Sequence, residues 1–528
     1  MLAESLHIQP IEKQVYEMPI EETQDLREVK VTPSQINAEN STITFLLCYV
    51  YQEITKRRLR VEHSFGDGIY CVDGDFQPIT QEIVDKLQKA LSEVLSNDTP
   101  IELVSTSRAE LLRYFTSCGY KDKISLLNSW QDHYIPCIKY KDYVDYAIEP
   151  SSTNKERLKL FQLQLYSPGF VLVFPSLFSP NSVNRLTDCA LQHEMLVEAE
   201  HWIRLLNTEN VSDLNNAIYK KTVFDIIPIA EGLHERKVVK VADRLVELFN
   251  KEGKRLAFIA GPSASGKTSF ALRVAIQLAV SGFEAVTFSL DKFLRDRNDI
   301  PTNSEGLRDY HAIGALNIEL IVDRINTLLS GSSIPTRKYN YRDGRGYDDN
   351  ENMISLPANA ILLIEGLHGL NPVLLDKIGR NKVTTIYVQA LTPLNIDYNH
   401  RFQTSDLRLV RRIIRDANVR GIPARETIKR WTNARANETR NVFPYMANAD
   451  MFFNSALVYE LPVLYIQAKV LLSEAACPVN ENITEDEVEI TKEASRLLAI
   501  LDLFYPLSPE KVPKNSVIRE FIGGSELA

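Results

Sequence analysis

Long apolar runs are missing from this chain. No stretch approaches the roughly 20 residues a membrane-spanning helix needs, and the opening MLAESLHIQPIEKQ lacks a basic-then-apolar leader pattern. Cysteine is sparse: Cys48, Cys71, Cys118, Cys137, Cys189 and Cys477 form no CxxC and no Cys/His pair at zinc spacing. That excludes a disulfide framework and a structural zinc site. Positive charge is short too, with 60 Lys and Arg against 69 Asp and Glu and a net charge of −9. This argues against a general nucleic-acid binder. Internal repeats and low-complexity tracts are also absent. The expectation is a cytoplasmic protein without membrane partners.

What is present is ordinary globular material, 44% apolar and 24% charged. At 528 residues the chain exceeds what one core usually serves. Residues 1–42 are polar and acidic and read as a loosely ordered arm. Residues 43–180 alternate short apolar runs with turns, as an α+β domain: ITFLLCYVYQEI is a buried helix or strand, SFGDGIYCVDG a strand pair, FVLVFPSLF a buried strand. Residues 181–250 carry apolar spacing of three and four and read as a helical linker. A new register starts near residue 251. LAFIAGPSASGKTSFALRVAIQLAVSGFEAVTFSLD is strand, glycine loop, helix, turn and strand, one βαβ unit of a parallel sheet. Buried strands recur at AILLIEG and TTIYVQA, so 251–474 reads as an α/β domain of the P-loop type, its parallel sheet flanked by helices. Residues 475–528 close the chain as a helical segment.

GPSASGKT fills every fixed position of GxxxxGK[ST] with Gly261, Gly266, Lys267 and Thr268, between a strand and a helix. The loop Gly261, Ser263, Ala264, Ser265, Gly266, Lys267, Thr268, Ser269 would wrap phosphate with backbone N–H groups at a positive helix end. Lys267 would neutralise β/γ oxygens, and the Thr268 hydroxyl would ligate Mg²⁺. Asp291 ends the next strand in SLDKF, where a carboxylate serves as general base, magnesium ligand or helix N-cap. Glu365 ends LLIEG and is placed as a second magnesium ligand or a rim salt bridge. Segment 401–440 holds eleven Lys/Arg against four Asp/Glu. In DLRLVRRIIRD, Arg408, Arg411, Arg412 and Arg415 recur at helical spacing, which suits a lid closing over a triphosphate, or alternatively a surface helix or RNA patch.

With these motifs in this order, the kinase half resembles the phosphoribulokinase/uridine kinase family. It is most like a subgroup whose kinase follows a threonyl-tRNA synthetase-like amino-terminal region. HSFGDGIYC, AEHWIRLLN and IAEGLHERKVVKVADRL resemble that region, and IEGLHGLNP and REFIGGS the remainder. The resemblance implies ATP- and Mg²⁺-dependent phosphorylation of a nucleoside-like hydroxyl on a small-molecule substrate. Thr268, Asp291 and Glu365 would then surround the metal, Asp291 would be the base, and Arg408, Arg411 and Arg415 the lid. The family's acceptor-binding stretch maps onto IPTRKYNYRDGR, with Tyr339 and Tyr341 as aromatic contacts.

Two departures separate the chain from a uridine kinase. Gly344 or Arg345 falls where the family's pyrimidine-reading histidine would stand, and His311 replaces the acid that grips ribose hydroxyls, with Asp309 two positions upstream. The acceptor therefore stays open between a nucleoside and a sugar, polyol or cofactor precursor. A nucleotide-binding, RNA-associated regulator is the reading from another class. The amino-terminal region also lacks the synthetase editing histidines, since ITFLLCYVYQEI has none and His193 and His201 lie eight apart. Packing, ligand sensing or homo-oligomer formation are the roles left for it.

Overall fold

The computed structural model describes residues 31–65, 68–176, 179–183, 190–302, 308–340, 343–392, 394–477 and 484–527. The arm expected over 1–42 is helical from Pro33: Thr32 caps the helix Pro33–Thr55 through its side chain, and a proline fits the first turn. This helix carries ITFLLCYVYQEI and buries Ile43, Leu46, Leu47 and Tyr51. Residues 1–30 lie outside the described residues.

Seven strands follow in the amino-terminal region: β1 (Leu59–Phe65), β2 (Gly68–Asp73), β3 (Glu102–Ser107), β4 (Tyr134–Tyr140), β5 (Tyr143–Tyr146), β6 (Gln162–Tyr166) and β7 (Gly169–Val173). They form two antiparallel sheets, one ordered β1-β2-β7-β6 and the other β3-β4-β5. A 30-residue helix, Val223–Glu252, then leads into the second half, ended by Gly253 at φ 68°.

The second half holds β8 (Leu256–Ala260), β9 (Glu284–Ser289), β10 (Ile334–Asn340), β11 (Arg345–Ile354), β12 (Ala360–Gly366), β13 (Val383–Gln389) and β14 (Met451–Asn454). β10 and β11 pair as a separate antiparallel hairpin, and the other five form one sheet ordered β14-β13-β8-β12-β9. All of its pairings are parallel. The run LAFIA shows why: every residue of β8 is buried, so the strand is covered on both faces. One apolar cluster packs Phe258, Leu362 and Ile364 below Ile321 and Ile325. A second packs Ile259, Leu363 and Val388 below Val274 and Leu245 of the long helix.

The two halves share a core. Phe115 and Tyr146 of the amino-terminal region lie in the same cluster as Leu409 and Ile413 and as Leu497 of the helix Glu485–Leu501. No helix among the described residues is long and apolar enough to cross a membrane.

Candidate active site

Parallel register carries the carboxyl ends of three strands to one edge. Glu365 on β12 is level with Ile259 on β8 and with Ser289 on β9. The chain leaving β8 becomes the glycine loop, the chain leaving β9 a short turn at Leu290–Phe293 carrying Asp291, and β12 ends in Glu365 itself. This crevice is where open α/β sheets bind ligands.

The loop has the shape its motif requires. At Gly261 a side chain would strike the backbone carbonyl of Val388, and Gly266 stands at φ 79° directly below Val517. Ala264, a residue with a Cβ, also holds positive φ, at 57°, while buried. The surrounding packing over-determines this costly conformation.

Behind the loop stand two fully buried arginines of the helix Thr404–Arg420. Arg408 donates from Nε to the Ser263 carbonyl at 3.0 Å and pairs with Glu438, whose Oε1 also accepts the Ser263 backbone N–H at 2.9 Å. Arg411 donates from Nη1 to the Ala264 carbonyl at 3.3 Å and to Ser455 Oγ at 3.0 Å. Its Nη2 donates to Glu460 Oε2 at 2.7 Å. Burial opposes ionisation of Glu438, yet Arg408 and Arg435 hold its carboxyl below the ordinary range. The expected lid of Arg408, Arg411 and Arg415 is thus corrected. Two of its members are internal struts that fix the loop's carbonyls, because Leu407, Val410, Ile413 and Ile414 bury the helix on its other faces as well. Arg415 stays half-buried, paired with Asp416 at 3.1 Å and close enough to depress Lys267.

In the crevice, Lys267 Nζ donates to the Pro262 carbonyl at 2.9 Å. Burial lowers its pKa, countered by Glu365, Asp291 and Glu520. Thr268 Oγ1 donates to Glu365 Oε2 at 3.2 Å. Burial raises the Glu365 carboxyl, Lys267 lowers it and Asp291 raises it again. Asp291 itself is exposed to the cleft. The structure therefore brings Lys267, Thr268, Asp291 and Glu365 together. Ser269 donates to Glu520 of the closing segment at 2.7 Å, and Ser265 Oγ is buried without a partner among the described residues.

The expected acceptor residues are placed unevenly. His311 lies within electrostatic reach of Asp291, and burial lowers its pKa. Asp309 spends Oδ1 on the His311 backbone N–H at 3.0 Å. Tyr339, on β10, donates its hydroxyl to the Arg295 carbonyl at 3.3 Å, and Tyr341 lies outside the described residues. His193 is edge-on to Phe65, Tyr70 and Tyr166.

Sequence reading missed Glu438, Glu460 and Glu520, which hold the loop or its struts from afar: Glu438 lies 175 positions from Ser263, Glu520 251 from Ser269, and Glu460 49 from Arg411. It also missed His368, buried just past β12, where burial lowers its pKa to about 4 and the His311 backbone partly opposes the shift. Only Glu438 carried a sequence signal, as one of four acids inside the basic segment 401–440; Glu460 and Glu520 lie outside it.

A parallel sheet feeding a phosphate loop, with carboxylates ending the neighbouring strands, defines the class as a P-loop kinase fold. Residues 257–461 match the Phosphoribulokinase / Uridine kinase family model. A uridine kinase of Macrococcus caseolyticus (strain JCSC5402) is 24% identical over 195 residues, 37% of this chain and 84% of the relative. The amino-terminal region is similar to threonine–tRNA ligases. That of Syntrophotalea carbinolica (strain DSM 2380 / NBRC 103641 / GraBd1) is 24% identical over 138 residues, 25% of this chain. The chain spans 21% of that ligase's length. A solved chain described as a possible uridine kinase from Bacillus stearothermophilus is 14% identical, covering 42% of this chain and 98% of that one at a TM-score of 0.29.

Proposed function

We propose that the chain is an ATP- and magnesium-dependent kinase that transfers the γ-phosphoryl group to a hydroxyl of a small metabolite. The observation that carries this reading is the convergence of Lys267, Thr268, Asp291 and Glu365 at the sheet's carboxyl edge. Backbone N–H groups of Gly261–Thr268 bind the phosphates, and Lys267 exchanges its Pro262 contact for phosphate oxygens. Asp291, open to the cleft, accepts the proton of the acceptor hydroxyl as the bond to phosphorus forms.

The donors fit magnesium. Thr268 Oγ1, Asp291 and Glu365 are hard oxygens, and burial disfavours charge on Glu365 unless a cation stands beside it. These residues would hold the ion, which when bound neutralises charge on the β- and γ-phosphate oxygens.

A nucleoside remains the acceptor that the family's uridine kinases favour. A second reading, a sugar, polyol or cofactor precursor, gains support because the Asp309 carboxylate is turned onto its own loop and His311, its pKa lowered by burial, stands within electrostatic reach of Asp291. The RNA-associated reading loses support, since Arg408 and Arg411 are buried against carboxylates. The test is acceptor-dependent ADP release across nucleosides, sugars and polyols. Turnover with any hydroxylated acceptor, lost in Lys267→Ala, supports the kinase; no stimulation by any class would sink it.

A further inference from the structure

A second feature lies on the opposite flank of the sheet from Asp291. A cavity of about 1820 Å³ opens where the amino-terminal region meets the kinase domain. Phe45, Ser64, Ile69 and Phe174 line it from one side, Arg401 and Trp431 from the other. It reaches Gln389 and Leu391 at the end of β13, whereas Asp291 follows β9 at the far edge. Ligand sites of small molecules run to about 300–1,000 Å³, so the space is ample for one.

The charges on its wall are mostly spent. Arg496 is shared by Asp406, Glu149 and Glu493. Arg430 pairs with Glu426, Lys429 with Asp486, and Lys492 with Glu489. His400 sits on Asp397, and Arg435 lies over the Phe443 ring. Arg401 differs: among the described residues no carboxylate pairs with it, and its one hydrogen bond runs from Nη1 to Ser64 Oγ at 2.6 Å. It is half-buried, and the loss of water lowers its pKa, with Asp406 and Glu149 pulling the other way. Both of those carboxylates already belong to Arg496. A partly buried guanidinium left without a counter-ion is an unfinished pair, and its fork matches carboxylate or phosphate oxygens.

We propose that this cavity binds an anionic small molecule bearing a carboxylate or phosphate group, anchored on Arg401 between the two halves of the chain. Arg401 stands at the end of a segment that joins those halves. The Val61 backbone N–H of β1 donates to the Tyr398 carbonyl at 2.8 Å, and Asn395 Nδ2 donates to the Val61 carbonyl at 3.1 Å. Buried Lys123 binds Asp145 at 2.9 Å and Asp397 at 3.2 Å. Three residues beyond Arg401 begins the helix whose Arg408 and Arg411 brace the phosphate loop. The anion would thus rest on the same stretch of chain that positions those struts.

Calorimetric titration of the full chain tests this, with the phosphate loop filled by a non-hydrolysable ATP analogue and magnesium. Inorganic phosphate and succinate are the two probes. We expect one anion per chain at a Kd on the order of 1 mM, weakened at least about tenfold in Arg401→Gln. Arg401→Lys, which keeps the charge and loses the fork, should fall between; it decides the matter if the glutamine variant does not fold. Stronger phosphate binding assigns the ligand to phosphate esters, and stronger succinate binding assigns it to carboxylic acids. Absence of binding by both probes up to about 10 mM, or equal binding by wild type and both variants, overturns the proposal.

Discussion

Lys267 illustrates how a single side chain is readied by its surroundings. Burial disfavours its charge, and the carboxylates of Glu365, Asp291 and Glu520 only partly offset that loss. The ammonium is thus held by a field that incoming phosphate would strengthen. Replacing it with alanine should lower turnover at least about a hundredfold, the scale of losing one preorganised charge stabiliser, while circular dichroism stays that of wild type. Retained turnover would remove the loop from the mechanism. Asp291→Asn keeps the size and loses the proton acceptor, so kcat should fall roughly a hundredfold or more. A rate close to wild type would reduce Asp291 to a supporting contact. Glu365→Gln should act differently: the amide still accepts the Thr268 hydroxyl, but the ion loses a carboxylate. The magnesium concentration for half-maximal rate should rise roughly tenfold or more, and an unchanged magnesium requirement would exclude Glu365 as its ligand.

At the level of elements, the helix Thr404–Arg420 changes its meaning. Its arginine stripe has the period of an exposed lid, and only the facing acids reveal it as a wall. Arg408 and Arg411 are each wholly buried and each matched by one glutamate, Glu438 or Glu460. Removing one partner of such a pair strands a charge at a cost of about 3–5 kcal/mol. Glu438→Gln should therefore lower the stability measured by urea unfolding by about that amount. Because Glu438 also accepts the Ser263 N–H, nucleotide affinity should fall with it. A lid residue would behave in the reverse way, slowing turnover at constant stability. The contrast also marks what was legible in the sequence. β8 and β12 announce themselves as apolar runs, and the glycine loop by residues whose backbone geometry few others tolerate. Thr268 came from the same motif, and Asp291 and Glu365 from the defined direction of a strand's end. Periodicity could not say whether the arginine face met solvent or Glu438, since that depends on a helix twenty or more residues on. Nor could it start the first helix at Pro33 amid polar residues, where a Thr32 cap and tertiary packing outweigh composition.

Across the whole molecule, the two halves are joined by buried polar groups as well as by the shared apolar cluster. The long helix Val223–Glu252 contributes one such tie in His234, which is fully buried between the rings of Trp202 and Phe453. Its Nε2 meets the Ala456 carbonyl at 3.1 Å, joining the helix to the segment after β14. Burial lowers its pKa from the ordinary 6.5 to about 3; the cation Arg273 adds to the shift, and the Ala456 carbonyl only partly offsets it. Above pH 6.5 the imidazole is neutral whether the chain is folded or not, and it contributes no pH dependence. Below that value the unfolded chain takes up a proton that the folded chain refuses. Unfolding is then favoured as pH falls from 6.5 toward about 3. One such group gives a slope of about 1.4 kcal/mol per pH unit. His368, lowered to about 4 by burial, adds a second contribution of the same sign over a narrower window. Urea unfolding at about pH 7 and about pH 5 should thus show marked acid destabilisation, and His234→Gln should reduce the slope by about one proton's worth. The glutamine loses the ring packing and lowers stability at every pH, so the slope rather than the absolute value carries the test. An unaltered slope in the variant would mean that His234 is protonated in the folded protein, and the tie to Ala456 would then be a charge-assisted hydrogen bond.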